Sequence, residues 1–313
     1  MKTIHLTYPN IHKVDSSVIA LGYFDGVHRG HQKVIQTAKN LAKERKAALS
    51  VMTFHPHPKV VLGQLKHVRH LTPLSEKERL FKQMGVEQLF IVQFDELFSQ
   101  LTPQKFVERV LSPLAVKGVV TGFNFHFGKG GQGSGEDLAR IGANIFETKI
   151  VSPVLDDQLP ISSTRIRDAL SIGDVTSAMR LLGRAYAFHG RVVHGDQRGR
   201  VIGFPTANIE PSDAYWIPSR GVYIVKVKNE QSQFYGMMNI GIRPTFDHPE
   251  PREVIEVHLL DFQGDLYDQQ LTIEVIHHLR SERKFSSVDQ LLQQLNIDRE
   301  QTEQWISVQA SKE

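Results

Sequence analysis

Apolar and polar positions follow two different patterns along this chain of 313 residues. In the first pattern, which runs to about Leu182, short apolar runs alternate with stretches whose apolar residues recur every three or four positions. Residues 18–21 have the pattern of a buried strand, and residues 32–45 that of the helix after it. Further strands are predicted at 48–54, 87–94, 115–121 and 144–151, and further helices at 75–84, 103–110 and 137–141. Strands that alternate with helices predict an α/β domain with a parallel sheet.

After residue 182 the chain changes to short strand-like runs separated by Gly, Pro and Asp. Six such runs predict strands at 186–193, 206–209, 221–228, 233–240, 253–262 and 271–279. An antiparallel β domain, either a sandwich or a barrel, fits this pattern, and two helices near 288–295 and 299–309 close the chain. The change places a domain boundary near Gly183, between a first domain at 1–183 and a second at 184–313.

Composition narrows the class of protein. A hydrophobic content of 40% and a charged content of 23% fit a globular protein of one or two domains. The 37 basic and 34 acidic residues leave a net charge of +3, which allows anionic ligands without indicating a nucleic-acid partner. Cysteine is absent, which excludes disulfides and thiolate sites. No apolar run approaches the ~20 residues of a membrane span, and the sequence does not open with a signal-peptide pattern. We therefore expect a cytoplasmic protein.

Two histidines, in the order His28-x-Gly30-His31, stand where the first predicted strand gives way to its helix. Backbone N–H groups and the macrodipole favour phosphate at such a helix N-terminus, and two imidazoles there can donate hydrogen bonds to a polyphosphate. The alternative is that both histidines only cap or pack the helix start. The same tract contains further candidate ligand contacts, three of them glycines that allow close backbone approach: Gly22, Phe24, Asp25, Gly26 and Gly30.

A second tract with phosphate-binding character lies at residues 161–167, Ile-Ser-Ser-Thr-Arg-Ile-Arg. Ser162 or Ser163 is placed to cap a helix running to about Leu170. Alone, the tract is typical of an ordinary capped helix with surface arginines. Together with the two histidines it favours an anion site, since hydroxyl and guanidinium groups bind phosphate well. The candidate contacts are Ser163, Thr164 and Arg167.

Three loops of the first half carry less specific signals. Residues 122–127 place three phenylalanines on one face if the stretch is extended, with Asn124 and His126 on the other. Asn124, at a strand end, is a candidate nucleotide contact. Residues 128–133 spell G-x-G-x-x-G but do not open the first strand–helix unit, which predicts a mobile flap. His55 and His57 lack a third metal ligand at familiar spacing, which favours a structural or substrate-gating loop.

In the second half, Gly203-Phe-Pro-Thr-Ala-Asn208 follows a basic, flexible stretch. Pro205 favours an extended entry into a strand, in which Thr206 and Asn208 point the same way. A hydroxyl and an amide oxygen are hard ligands that suit Mg²⁺ carrying ATP phosphates. The alternative is a solvated turn followed by an edge strand. Further candidate phosphate contacts are Arg198, Arg200 and Gly203.

The predicted strand at 253–262 carries a carboxylate among apolar residues. Strand alternation places Glu256 and His258 on one face, and Val257 and Leu259 on the other. A carboxylate in that position can take a proton from a substrate hydroxyl. The alternative is the exposed face of an edge strand.

Jointly, these tracts resemble the bacterial bifunctional riboflavin kinase/FMN adenylyltransferase family, the FAD synthetases. The resemblance covers essentially the whole chain: residues 22–31 are similar to the H-x-G-H motif of nucleotidyltransferases, 161–167 to the I-S-S-T-x-x-R element and 203–208 to the kinase signature G-F-P-T-A-N. It implies a Rossmann-like nucleotidyltransferase parallel sheet followed by an antiparallel β-barrel with a terminal helix. The second domain is then expected to phosphorylate riboflavin to FMN, and the first to transfer AMP from ATP to FMN, giving FAD and pyrophosphate.

The resemblance also implies residue roles. Glu256 is the expected general base of the kinase, with Mg²⁺ held by Thr206 and Asn208. In adenylyl transfer the attacking phosphate is already ionised, so His28, His31 and Arg167 are expected to stabilise charge. The expected ATP contacts are Gly22, Phe24, Asp25, Gly26, Gly30, Asn124, Ser163, Thr164, Arg198, Arg200 and Gly203.

Riboflavin, FMN, FAD and ATP are the partners that the resemblance implies, with no nucleic acid and no membrane, in a monomer or weak homo-oligomer. Two positions depart from the family pattern: His126 stands where arginine is expected, and Asp268 where glycine is common. One rival is a different nucleotidyltransferase or a fragment related to class I aminoacyl-tRNA synthetases, although the chain lacks a K-M-S-K-S-like loop. The other is a flavin-binding regulator without activity, and the intact motifs argue against it.

Overall fold

The computed structural model describes residues 1–195, 199, 202–243 and 252–311. It divides into two compact units, Met1–Ser163 and Thr164–Glu313. The sequence pattern places the boundary later, near Gly183. The difference lies in two helices that group with the second unit, where the Ser219 N–H donates to the Leu170 carbonyl at 2.9 Å.

A parallel sheet forms the centre of the first unit. Its strands are β1 (Lys2–Leu6), β2 (Ser17–Leu21), β3 (Ala48–His55), β4 (Gln88–Gln93), β5 (Val116–Gly122) and β6 (Glu147–Val151). They lie in the order β1-β4-β3-β2-β5-β6, and every neighbouring pair is parallel. A small antiparallel hairpin, β7 (Leu155–Asp156) and β8 (Leu159–Pro160), follows. The predicted α/β sheet is confirmed.

Helices cover both faces of this sheet. They are α1 (Arg29–Arg45), α2 (Pro58–Val61), α3 (Leu74–Gln83), α4 (Glu96–Ser99), α5 (Pro103–Phe106) and α6 (Gly135–Gly142), with a π-helical segment at Val107–Leu111. Every residue of β2 is buried, as expected of a central parallel strand that packs helices on both sides. In α1 the buried residues recur at helical spacing, which directs its apolar face at β2 and β5.

The second unit is a closed antiparallel barrel. It begins with α7 (Ser163–Ser171) and α8 (Val175–Leu182) and continues with β9 (Tyr186–Val193), β10 (Ala207–Pro211), β11 (Gly221–Lys228), β12 (Gln233–Arg243), β13 (Arg252–Leu259) and β14 (Gln270–Arg280). The strand order is β10-β13-β12-β11-β14-β9, and β9 closes the barrel by pairing with β10. Of the two predicted architectures, barrel and sandwich, the barrel is confirmed.

One helix, α9 (Val288–Ala310), ends the chain, where the sequence predicts two. Residues 296–298 continue the helix because Asn296 turns its side-chain amide back to the Leu292 carbonyl and Asp298 is buried against the barrel. Among the described residues, no helix combines the length and apolar character needed to cross a membrane.

Candidate active sites

The first candidate site lies where the connections of the parallel sheet change direction. From β2 the chain moves to β3 on one side, whereas from β5 it moves to β6 on the other. Parallel sheets bind ligands at such a switch point, at the carboxyl ends of the two strands. Residues 22–28 follow β2, and Asn124 lies just after β5. The sheet therefore brings both predicted tracts to one edge.

His28 and His31 form a stacked pair at the start of α1. His28 is the N-cap, and its Nδ1 accepts a hydrogen bond from the His31 N–H at 3.3 Å. The rings stack with centroids 3.6 Å apart and planes 18° apart. Because Nδ1 accepts, the proton of a neutral His28 ring lies on Nε2, which makes that nitrogen a donor. The capping alternative is thus true of His28, and the cap uses only Nδ1.

Two glycines of the tract make room for side chains. A Cβ on Gly30 would lie 3.0 Å from Cε1 of His28, and a Cβ on Gly22 would lie 3.1 Å from the Phe24 ring. Phe24 in turn packs edge-to-face on His31, with centroids 5.2 Å apart. These glycines were expected to allow close approach of a ligand, and in the fold they allow close approach of the two rings.

Asp25 and Ser163, both predicted ATP contacts, brace the histidine loop. The buried Asp25 carboxylate accepts from the Thr72 N–H at 3.1 Å, and the Thr72 hydroxyl accepts from the Gly26 N–H at 2.7 Å. The Ser163 hydroxyl donates to the Asp25 carbonyl at 2.8 Å. These bonds fix the loop before any ligand arrives, which is the preorganisation that an electrostatic site requires.

Lys77 is part of this site and was not predicted. Its Nζ donates to the Tyr23 carbonyl at 2.7 Å and lies 3.8 Å from the centre of the Tyr23 ring. Burial lowers the pKa of Lys77 to about 8, against the opposing pull of the Asp25 charge. The sequence held a signal, because Lys77 lies three and four residues before the apolar pair Leu80 and Phe81, on the inward face of α3.

The histidines of the proline-rich loop pack on Tyr23. The His57 ring lies edge-to-face with Tyr23 at 4.5 Å, and the Tyr23 hydroxyl lies 3.3 Å from Nδ1 of His70. Burial, and then the neighbouring His70, lower the pKa of His57 to about 4. Among the described residues there is no group of three or more His, Cys, Asp or Glu that could hold a metal ion. These contacts give the loop a structural role, and gating stays a prediction.

Two loops differ from what their sequence patterns indicate. Residues 123–127 turn instead of extending, with the Phe125 N–H bonded to the Gly122 carbonyl at 3.2 Å, because Phe127 must enter the core while Phe123 stays exposed. The glycine-rich stretch is not a free flap. Phe127 and Gly133 form a two-way backbone bridge, and the Lys129 N–H donates to the Leu101 carbonyl at 2.6 Å.

Thr164 and Arg167 lie in α7 and belong to the second unit. Thr164 is exposed in the first turn of the helix, whereas Arg167 is half-buried with its guanidinium carbon 5.6 Å from the centre of the Trp216 ring. Their participation with His28 and His31 stays a prediction.

The second candidate site is a cavity of about 370 Å³ between the outer face of the barrel and α9. A row of directly opposed residues crosses its floor from strand to strand: Asn208, Glu256, Asn239, Val222 and Arg280. Opposed residues of antiparallel strands share a face, and all five line the cavity. Glu256 is therefore flanked by two asparagine side chains and is half-buried, not part of an edge strand.

The segment before β10 lies at the mouth of this cavity. Gly199, Thr206 and His258 line it with the row just described. A Cβ on Gly199 would lie 2.2 Å from the Phe204 carbonyl oxygen and 3.4 Å from the Thr206 hydroxyl, so only glycine fits there. At Gly203 a Cβ would meet no atom within 4 Å, so space does not require glycine there. The positive φ of +81° does, because few other residues adopt it. Arg198 and Arg200 lie outside the described residues.

An apolar wall and a buried ion pair complete the cavity. Phe204, Val222 and Met237 form a cluster with the leucines of α9. Arg280 binds the fully buried Asp298 through two parallel contacts, Nε–Oδ1 at 2.9 Å and Nη2–Oδ2 at 2.7 Å. Asn239, Arg280 and Asp298 are not predicted from sequence, because their place in the cavity follows only from cross-strand register and helix docking.

A parallel sheet with a switch point and, separately, a barrel cavity with a carboxylate are typical of nucleotide-using enzymes. The family model described as FAD synthetase matches residues 10–165, and that described as riboflavin kinase matches residues 182–306. The chain belongs to the family of bifunctional riboflavin kinase/FMN adenylyltransferases. Its members join the two activities that lead from riboflavin through FMN to FAD, and ATP is a substrate of both.

Known proteins agree along the whole length. The chain is 43% identical over 313 residues to the bifunctional riboflavin kinase/FMN adenylyltransferase of Bacillus subtilis (strain 168), covering 98% of this chain and 99% of that protein. The protein of the same description from Escherichia coli (strain K12) is 37% identical, with 91% of each chain covered. A crystal structure titled as a macrolide-efflux protein from Streptococcus pneumoniae superposes with a TM-score of 0.90 at 37% identity, covering 97% of this chain and all of that one.

Proposed function

We propose that the barrel cavity is the riboflavin kinase site and that Glu256 is its general base. The observation that carries this proposal is the row Asn208–Glu256–Asn239, which sets one carboxylate between two amides on the cavity floor. Glu256 takes the proton of the ribityl 5′-hydroxyl as that oxygen bonds to the γ-phosphorus of ATP and ADP leaves. The apolar wall of Phe204, Val222 and Met237 suits the flavin ring.

Mg²⁺ fits the donors at this site. The Thr206 hydroxyl and the Asn208 amide oxygen line the same cavity as Glu256 and are hard oxygen ligands. Two protein ligands suffice, because Mg²⁺ completes its coordination with water and substrate phosphates. When bound, the ion would neutralise charge on the transferring phosphates. Thr206 and Asn208 would hold the ion and would orient the ATP phosphates toward the substrate hydroxyl.

We propose further that the switch-point site transfers AMP to FMN. The phosphate of FMN attacks the α-phosphorus of ATP, one P–O bond forms, and pyrophosphate leaves. No base is needed, because the attacking phosphate is already ionised. His28 donates through Nε2, and His31 and Arg167 supply further donors to the triphosphate. Ser163 and Asp25 act by holding the loop, as their hydrogen bonds indicate.

We also propose a cytoplasmic monomer, or a weak homo-oligomer, that binds no nucleic acid. Among the described residues of the second unit, the closed barrel leaves no free strand edge to recruit another copy. The net charge of +3 is small for a nucleic-acid-binding protein. Light scattering at micromolar concentration tests the oligomeric state directly.

Paired assays test the division of labour. In Glu256→Gln we expect FMN formation from riboflavin to fall by about 10²–10⁴, while added FMN still becomes FAD. His31→Ala should do the reverse, so that FMN accumulates. Glu253→Gln, on the exposed part of the same strand, is the matched control and should change neither rate. Loss of both activities in a folded Glu256→Gln protein contradicts the assignment, and wild-type protein that makes neither product contradicts the enzyme function itself.

A further inference from the structure

The backbone just before β10 is held by a side chain instead of a strand neighbour. Pairing between β10 and β13 covers Ala207–Val257 and Asn208–Glu256 and stops there. Upstream, Pro205 has no N–H to contribute to a ladder. Its carbonyl oxygen lies 2.8 Å from Nδ1 of His258. An imidazole therefore takes the place of the next ladder partner.

The chemistry of this contact fixes the state of the ring. A carbonyl oxygen only accepts hydrogen bonds, so Nδ1 of His258 carries the hydrogen. The neutral ring then has an unprotonated Nε2.

The held peptide is the one that joins Pro205 to Thr206. On its other side the Phe204 N–H donates to the Gly199 carbonyl at 2.9 Å. Phe204 is buried, and its ring lies 5.2 Å from that of His258. With the Phe204 and Pro205 ends fixed in this way, the direction of the exposed Thr206 side chain is set by the peptide plane that His258 orients.

We propose that His258 is a positioning residue of the kinase reaction, whose Nδ1–H sets the Pro205–Thr206 peptide and thereby aims the Thr206 hydroxyl into the cavity. The inference rests on the proposed role of Thr206 in holding metal-bound ATP. Two residues on one strand face then have different roles. Glu256 accepts the proton of the substrate hydroxyl, whereas His258 holds the backbone that carries Thr206. Outer partners of ligand residues typically contribute a factor of about 10–100.

Two amide replacements distinguish the nitrogens of the ring. The side-chain amide of asparagine reaches the position of Nδ1, whereas that of glutamine reaches the position of Nε2. We expect His258→Asn to keep most of the kinase kcat/KM for ATP. His258→Gln and His258→Ala should lose a factor of about 10–100, and their calorimetric affinity for ADP with Mg²⁺ should fall in parallel. Conversion of added FMN to FAD is the internal control and should not change.

Several results would overturn the proposal. Equal loss in His258→Asn and His258→Gln means that Nδ1 is not the nitrogen that matters, and full activity of His258→Gln removes the role altogether. Independently of any variant, ¹⁵N NMR of the wild-type ring must show the Nδ1–H tautomer at neutral pH, and the Nε2–H tautomer contradicts the inference. Thr206→Ala and Asn208→Ala test the proposed function separately from the role of His258. If these two variants keep full kinase activity, the proposed metal ligands are wrong. If they lose activity but the His258 variants do not, only the inference about His258 fails.

Discussion

Nδ1 of His28 accepts a hydrogen bond from the backbone N–H of His31, and the two imidazole rings stack directly on each other. His28 thus caps the N-terminus of α1 and also packs against the ring of His31. Capping and phosphate binding are therefore not competing roles for His28, because they use different nitrogens of one ring.

This relationship predicts different results for two substitutions of His28. Asparagine is a good N-cap but lacks Nε2, so His28→Asn should keep wild-type thermal stability while adenylyl transfer falls by about 10²–10³. His28→Ala should show the same loss of transfer and also lose about 1 kcal/mol of stability. Circular dichroism melts and FAD formation from added FMN measure the two effects. If His28→Asn transfers AMP at the wild-type rate, the cap is the whole role of His28.

The buried Lys77 predicts a pH-dependent stability of the first unit. Its pKa is about 8 in the folded unit, against 10.5 in the absence of burial. Between these values the unfolded chain binds more protons, so the stability that Lys77 contributes rises as pH rises from 8 to 10.5. Burial of Lys77 therefore lowers the free energy of unfolding most at pH 8 and below, by on the order of 3 kcal/mol. The Asp25 carboxylate and the His57 and Tyr23 side chains are the groups around it.

Lys77→Met is the variant that checks this dependence. We expect its stability relative to wild type to be greater at pH 7.5 than at pH 9.5, since only the wild type carries the buried ammonium. Hydrogen exchange of the α3 amides measures the stability of the first unit. Tryptophan fluorescence would not, because both tryptophans, Trp216 and Trp305, lie in the second unit. A stability difference that does not change over this pH range would show that burial does not lower the pKa of Lys77.

We expect the Arg280–Asp298 ion pair to hold α9 against the barrel. Asp298 is completely buried and also accepts from the Gln294 side chain at 2.8 Å. Asp298→Ala leaves the Arg280 guanidinium without its partner, which should cost about 3–5 kcal/mol of stability in the second unit. Because α9 forms one wall of the cavity, kinase activity should be lost with it. Fluorescence of Trp305, on α9, reports the release of the helix. Arg299→Ala, a half-exposed position on the same helix, is the control and should leave the fluorescence transition in place.

Asp268 stands where relatives are expected to have glycine, and its backbone explains the preference. Its φ is +62°, in the left-handed region that costs most residues about 1–2 kcal/mol. We expect Asp268→Gly to raise the stability of the barrel by up to about 1 kcal/mol and Asp268→Ala to lower it. Both changes remove the distant contact with Arg191, so urea titrations that rank the two variants equally would assign the effect to that ion pair.

Much of the fold follows from local pattern. The central strands are buried on both faces, so their apolar runs stand out, and strands β9 and β11 begin and end where the sequence predicts. Strand β1 was missed because it lies at the sheet edge, where only Leu6 is buried. The break predicted within α9 is wrong, because the helix continues through Asp298. Burial of Asp298 against Arg280 depends on a tertiary contact that the spacing of apolar residues cannot show.

The sites divide in the same way. Strand alternation predicts only that Thr206 and Asn208 share a face and that Glu256 and His258 share another. That Asn208 lies opposite Glu256, with Thr206 on the same cavity, follows from the pairing of β10 with β13. For Lys77 the sequence shows only an inward helix position, and Asn239 could not be assigned before the fold was known. A lysine on an inward helix face carries no signature of the carbonyl it meets, and an asparagine two strands away from the kinase motif acquires its place only through pairing with Glu256.

Closure of the barrel has a consequence for biosynthesis. Strand β9 pairs with both β10 and β14, so the first strand of the barrel lacks one of its two neighbours until residues 270–280 have left the ribosome. The first unit, in contrast, pairs strands from an N-terminal part of the chain that is already complete. Adenylyl transfer can therefore be assembled on the ribosome before the kinase exists, the reverse of the order in which the two reactions use the flavin.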